Sequence, residues 1–93
     1  MSKMIELAKE YRLPLKSTQE DIESRWETVL RYGDRILVAG HWYNPDGKSW
    51  IAAVYEFLDD NETTCEDFIG IREVAEERFT DNGHAISWAI QNA

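Results

Sequence analysis

Chemistry at neutral pH needs a nucleophile, a base, a metal cage or a phosphate cradle, and this chain holds few residues able to supply them. Cys65 is the single cysteine. Glu66 and Asp67 follow it and disfavour a thiolate, and no CxxC or paired histidine accompanies it, so it reads as a structural thiol. It cannot form an internal disulfide. Together with His41 and His84 it falls one short of the four ligands of a structural zinc cage. His41 stands in a run of strand-forming residues and His84 follows a turn signal; a general-base role for either requires a cleft and a partner. Asp59-Asp60-Asn61-Glu62 has the density of a calcium loop. An EF-hand begun at Asp59 needs Gly at its sixth position and Glu at its twelfth, where this sequence has Thr64 and Gly70. Carboxylate pairs suited to glycoside hydrolysis are too many to single out among 18 acids. Gly33, Gly40, Gly47, Gly70 and Gly83 are isolated, so no glycine-rich loop is present to cradle a phosphate. The sequence assigns no catalytic, cofactor-binding or metal-ligating set, and the expectation is a protein that acts by binding and not as an enzyme.

The placement of charge is more informative. The formal net charge is −8, and residues 1–48 contribute nothing to it, with eight bases against eight acids. Residues 49–93 hold ten acids against Arg72 and Arg78. Glu56, Asp59, Asp60, Glu62, Glu66 and Asp67 fall within twelve residues that contain no base. Such a block repels itself and attracts cationic surfaces, or else simply keeps the protein dissolved. Direct nucleic-acid binding and an anionic membrane surface are both disfavoured, since each requires clustered Lys and Arg.

The elements that would position these residues follow from periodicity. Met4, Leu7, Ala8 and Tyr11 recur at helical spacing over Ser2 to Arg12, and Pro14 ends that segment. Ser17 with Glu20 and Thr18 with Asp21 form overlapping capping boxes. Behind them Ile22, Trp26, Val29 and Leu30 predict a helix over 18–32, with Gly33 as its left-handed C-cap. The period then becomes two. Arg35 to Tyr43 and Lys48 to Leu58 flank Asn44-Pro45-Asp46-Gly47, a hairpin signal. A three-residue loop, Pro45 to Gly47, would pair Asn44 with Lys48. It would set Trp42 across from Trp50, and Gly40 across from Ala52 with room for a helix to pack closely. Beyond the acidic block, Thr63 or Thr64 would cap a third helix with its stripe at Phe68, Ile71, Ala75 and Phe79. Residues 84–91 fit a final helix, and a third strand beside the hairpin is the alternative.

The expected fold is α+β, a single compact domain over 1–93. Two N-terminal helices precede a central antiparallel β-hairpin, with a third strand left open, and one or two C-terminal helices pack on the sheet. No apolar run reaches the ~18 residues of a membrane span, and the first residues lack a secretory h-region. A soluble, cytoplasmic protein is the expectation.

No family is identified by motif. In size and charge the chain resembles the compact inhibitors of mobile elements, such as anti-CRISPR and anti-restriction proteins, and also nuclease immunity proteins and antitoxins. That profile implies an inhibitor and transfers no residue's role. Enzymes acting on nucleic acids carry basic grooves, which fixed carboxylates can occupy as a nucleic-acid mimic. The leading reading is therefore a non-enzymatic acidic binding protein whose partner is a basic, nucleic-acid-processing protein. It would be engaged through Glu56, Asp59, Asp60, Glu62, Glu66 and Asp67, with Glu73, Glu76, Glu77 and Asp81 extending the surface. The alternative is an interaction module or homodimer that uses the apolar sheet face with Trp42 and Trp50, aromatic types common in binding hot spots. A small enzyme of unrecognised type, with a pocket near His41, is the third reading.

Overall fold

The computed structural model of the chain describes residues 3–44, 47–58 and 68–93. Its elements run α1 (Lys3–Glu10), β1 (Lys16–Thr18), α2 (Gln19–Arg25), β2 (Thr28–Tyr32), β3 (Arg35–Asn44), β4 (Gly47–Phe57), β5 (Phe68–Val74) and α3 (Asn82–Gln91). The fold is α+β. The strands form one antiparallel sheet of order β1-β5-β4-β3-β2, a meander from β2 to β5 with β1 on its far edge. Among the described residues no helix is long and apolar enough to cross a membrane.

α1 follows its apolar stripe and closes in a Schellman motif. The Leu13 N–H donates to the Ala8 carbonyl at 2.8 Å and the Arg12 N–H to the Lys9 carbonyl at 3.2 Å, with Arg12 left-handed at φ +61°. Ala8 and Leu13 are buried in one cluster, the apolar pairing that accompanies this motif. Thr18 caps α2, its hydroxyl accepting from the Asp21 N–H at 3.2 Å.

Here the expected helix over 18–32 is corrected. The backbone turns extended at Trp26, and residues 28–32 pair with β3 from Thr28↔Ala39 to Tyr32↔Arg35. Gly33-Asp34 is then a two-residue hairpin loop. Positive φ at Gly33 (+59°) and not at Asp34 is the type II′ pattern, so that glycine serves a turn and not a helix end. The third helix is corrected as well: residues 68–74 form β5, between β1 and β4. Phe68, Ile69, Ile71 and Val74 suit a strand, and Gly70 admits the Leu58 side chain, whose nearest carbon would lie 3.0 Å from a Cβ there. The proposed caps Thr63 and Thr64 lie outside the described residues.

The β3–β4 hairpin is present one residue out of the expected register. Asn44 pairs with Gly47, Trp42 with Ser49 and His41 with Trp50. A one-residue slip turns every β4 side chain to the opposite face. Trp42 and Trp50 therefore part company: Trp42 packs with Ile36, Val38, Ile51 and Tyr55 on one face, Trp50 with Ala39 and Ala52 on the other.

Helices cover both faces. Ala8 of α1 and Ile22 of α2 join the larger cluster, where the buried Tyr55 hydroxyl donates to the Pro14 carbonyl at 2.6 Å. On the second face Ala39, Ala52 and Ala75 meet Ala85 of α3, and Leu37 and Val54 meet Ala89. Close helix packing thus rests on the Ala39–Ala52 pair, in place of Gly40 and Ala52. The tail is helical, with Asp81 as N-cap accepting from the His84 N–H at 2.8 Å.

Candidate functional site

β2 begins at Thr28, opposite Ala39, so β3 runs on past it from Gly40 to Asn44. Where β2 would have continued, Glu27 turns its carboxylate onto His41. One oxygen accepts the His41 backbone N–H at 3.0 Å and the other lies 3.0 Å from Nδ1. Burial works to raise the Glu27 pKa, but the hydrogen bonds from the His41 side chain and backbone outweigh it, and the net shift is downward. Beside it the Trp26 indole occupies the space over Gly40. A Cβ at Gly40 would run into that ring and lie 2.6 Å from Glu27 Oε2.

The backbone beyond Glu27 has a definite direction. Trp50 exchanges both hydrogen bonds with Phe79, each 2.9 Å, on the side away from β3. His41↔Trp50 is therefore a non-hydrogen-bonded pair, and by alternation so is Tyr43↔Lys48. The N–H and C=O of Tyr43 consequently point outward from the open edge of β3, where no described strand lies.

The opposite wall comes from the end of α1 and the segment after β5. The Trp42 indole N–H donates to the Glu10 carbonyl at 3.2 Å, and Tyr11 meets the Trp42 ring edge-on at 5.0 Å. The Phe79–Trp50 bridge holds Arg78 nearby. Its guanidinium lies 4.4 Å from the Trp42 ring centroid and 3.2 Å from the Glu10 carboxylate. The Tyr11 hydroxyl, then the Glu10 carboxylate, favour its charged form and raise its pKa.

Between these elements lies a groove of about 440 Å³ lined by Trp26, His41, Trp42 and Tyr43 and, from the end of α1, by Glu10, Tyr11 and Arg12; along β3 the Trp42 ring lies on the α1 face, and those of His41 and Tyr43 on the Trp50 face. Three features of it are not accounted for by folding alone. The Tyr43 side chain is 74% exposed. The buried Trp26 indole N–H has no hydrogen-bond partner among the described residues. Arg12 holds the left-handed position that glycine normally takes, at a cost of about 1–2 kcal/mol. Its exposed guanidinium has no hydrogen-bond or ion-pair partner among the described residues. Planar rings, an outward strand edge and an uncommitted guanidinium can together hold a flat, hydrogen-bonding, anionic molecule.

Of the residues named from the sequence, Trp42 lines the groove and Trp50 lies on the opposite face, where its ring is 4.0 Å from that of His41. Glu56, half-buried, pairs with Arg72 at 3.7 Å. Glu73, Glu76, Glu77 and Asp81 are exposed; Glu76 pairs with Lys3 at 3.2 Å. Asp81 is committed to capping α3, and the His84 backbone N–H, with help from the ring, lowers its pKa. Asp59, Asp60, Glu62, Glu66, Asp67 and Cys65 lie outside the described residues. Because 68–74 is a strand, Glu76 and Glu77 follow its far end, roughly 20 Å of strand beyond Phe68. Glu27, Arg12 and Arg78 are not among the site residues that the sequence singled out. The one local sign was a tyrosine-arginine pair just ahead of Leu13-Pro14, where a helix must stop.

Residues 13–93 match the family described as "Nucleotide modification associated domain 4". Comparison with curated proteins and with solved structures gives no match.

Proposed function

This chain belongs to the nucleotide modification associated domain 4 family, and we propose that it serves a nucleotide-modification system as a non-enzymatic binding protein whose groove along β3 takes a planar base. The observation that carries the reading is a groove at an open strand edge lined by four aromatic residues, Trp26 and Trp42 on one face of the sheet and His41 and Tyr43 on the other. Base–aromatic stacking contributes about 1–3 kcal/mol per base, and the outward peptide groups of Tyr43 supply a donor and an acceptor for a base edge. Support also comes from the exposure of Tyr43, since a large aromatic ring gains nothing from standing in water. The test is a titration of isotope-labelled protein with ribonucleosides and deoxyribonucleosides. The indole N–H resonances of Trp42 and Trp26 should move together with the Tyr43 amide. No shift at millimolar nucleoside, or shifts centred elsewhere, discards the reading.

The charge asymmetry favours a second reading. Ten acids and two bases in residues 49–93 suit a basic, nucleic-acid-handling partner protein, which this chain would occupy as an inhibitor. Glu73 and Glu77 are exposed on the described part of that surface. A tagged pull-down washed at low and high salt tests it: a nucleic-acid-processing protein lost at high salt supports the reading, and a partner indifferent to salt removes it.

A further inference from the structure

The lining of the proposed base site includes Arg12. Resting on the groove reading above, we infer that the ligand is a free nucleoside monophosphate, with Arg12 binding its phosphate, and not a nucleic-acid strand. Arg12 stands at the C′ position of α1 with φ +61°, in a motif whose hydrogen bonds need only backbone atoms. Glycine would complete that motif without strain, so folding gives no reason for an arginine. A strained residue lining a cleft is a pointer to function. Arg12 lines the groove and is exposed, and its side chain has no hydrogen-bond or ion-pair partner among the described residues. Arg78, the cation against the groove's Trp42, is already held by Glu10 and by the Trp42 ring. A planar guanidinium fork suits a phosphate in two-point contact.

The same charges argue for a single phosphate. A strand needs a track of cations, one for each phosphate it lays down, and this groove offers one uncommitted guanidinium beside the Glu10 carboxylate. The surrounding protein carries a net charge of −8, which repels a polyanion more than a monoanion or dianion. A space of about 440 Å³ falls within the range of small-ligand sites.

The experiment compares 2′-deoxyadenosine and thymidine with their 5′-monophosphates, and with a ten-nucleotide oligothymidylate, by calorimetric titration of the full chain and of Arg12→Gly and Arg12→Lys. The monophosphates should bind at least tenfold more tightly than the nucleosides. Arg12→Gly should lose that advantage, keep the nucleoside affinity, and melt no lower than the wild type. Arg12→Lys, which keeps the charge without the fork, should fall between the two. Nucleoside binding without a phosphate advantage, an advantage that survives Arg12→Gly, or tighter binding of the oligonucleotide than of the monophosphate overturns this inference while the base site stands. Failure of nucleosides and nucleotides alike to bind overturns both.

Discussion

The carboxylate of Glu27 and two donors of His41, its backbone N–H and its ring, are joined by a pair of 3.0 Å contacts that end the β2 edge of the sheet. Five residues of β3, Gly40 to Asn44, run on beyond the Thr28↔Ala39 pair. Glu27 satisfies the first outward donor of that overhang and leaves the second, at Tyr43, facing the groove. The same contact presses the chain over Gly40, where the Trp26 ring fills the space of a side chain. One carboxylate therefore terminates the pairing and shapes the cavity beside it.

A pH dependence follows from this contact. The folded state lowers the Glu27 pKa, so the carboxylate contributes stability above its ordinary value near ~4.3 and that contribution is lost as pH falls through the lower folded value. The side chain is 47% exposed, which limits the effect to less than about 1 kcal/mol. Urea unfolding at pH 7 and pH 3 should show wild type losing more stability than Glu27→Gln. Asp81, also lowered by its cap, leaves a residual slope in both proteins. Equal losses in the two would remove Glu27 as a source.

Gly40→Ala should destabilise by about 1–3 kcal/mol, because its Cβ would enter the Trp26 ring and approach Glu27 Oε2. A double-mutant cycle with Trp26→Leu measures the cause directly. Most of the penalty should vanish once the indole has been replaced by the smaller leucine side chain. Additive penalties would mean that the glycine is needed for some other reason.

Much of the fold was legible where the signal is local. The stripe and proline of α1, the Thr18 cap, the hairpin around Asn44-Pro45-Asp46-Gly47 and the helical tail are each written in a few adjacent residues. β2 and β5 are not. Val29 and Leu30 continue the helical stripe of Ile22 and Trp26, and only pairing with β3 makes them a strand. Gly33-Asp34 ahead of Arg35 was the available sign of that hairpin. Phe68, Ile71, Ala75 and Phe79 match the helical period by coincidence, and Gly70 was the hint against it. The slipped register has the same origin, since Asn44 to Gly47 suits a two-residue or a three-residue loop and one residue decides which way Trp50 faces. In the site, Trp42 stood out by type. Glu27 reaches His41 across 14 residues and Arg78 reaches Glu10 across 68, separations that no window along the chain spans.

The alanines beneath α3 should be intolerant of size. Ala85 is fully buried against Ala39, Ala52 and Ala75, so Ala85→Leu should cost about 1–3 kcal/mol or displace the helix. Ile90, on the same helix and 43% exposed, should accept serine within about 0.5 kcal/mol. Thermal melts of both variants check this; comparable losses would show that α3 packs by another face.

The two functional readings separate on one set of variants. Reversing Asp59, Asp60, Glu62 and Glu66 to lysine changes the charge of the acidic block by eight units and alters no residue that lines the groove. If a basic protein docks on that block, the four-fold reversal should abolish its capture at low salt, while Trp42→Leu and Tyr43→Ala leave capture intact. If the groove is the site, the pattern inverts. Nucleoside-induced shifts should weaken at least tenfold in Trp42→Leu and Tyr43→Ala and persist in the charge-reversed chain, because stacking is short-ranged and indifferent to distant charge. Both patterns can hold together, since the block and the groove use different residues, and a protein with both would bring a bound nucleotide to a basic partner. Circular dichroism of each variant is needed first: a sequence whose Trp42 ring is held by Tyr11, Glu10 and Arg78 must be shown to stay folded when that ring is replaced. Capture that survives charge reversal ends the acidic-surface reading, and nucleoside shifts that survive the loss of both rings end the groove.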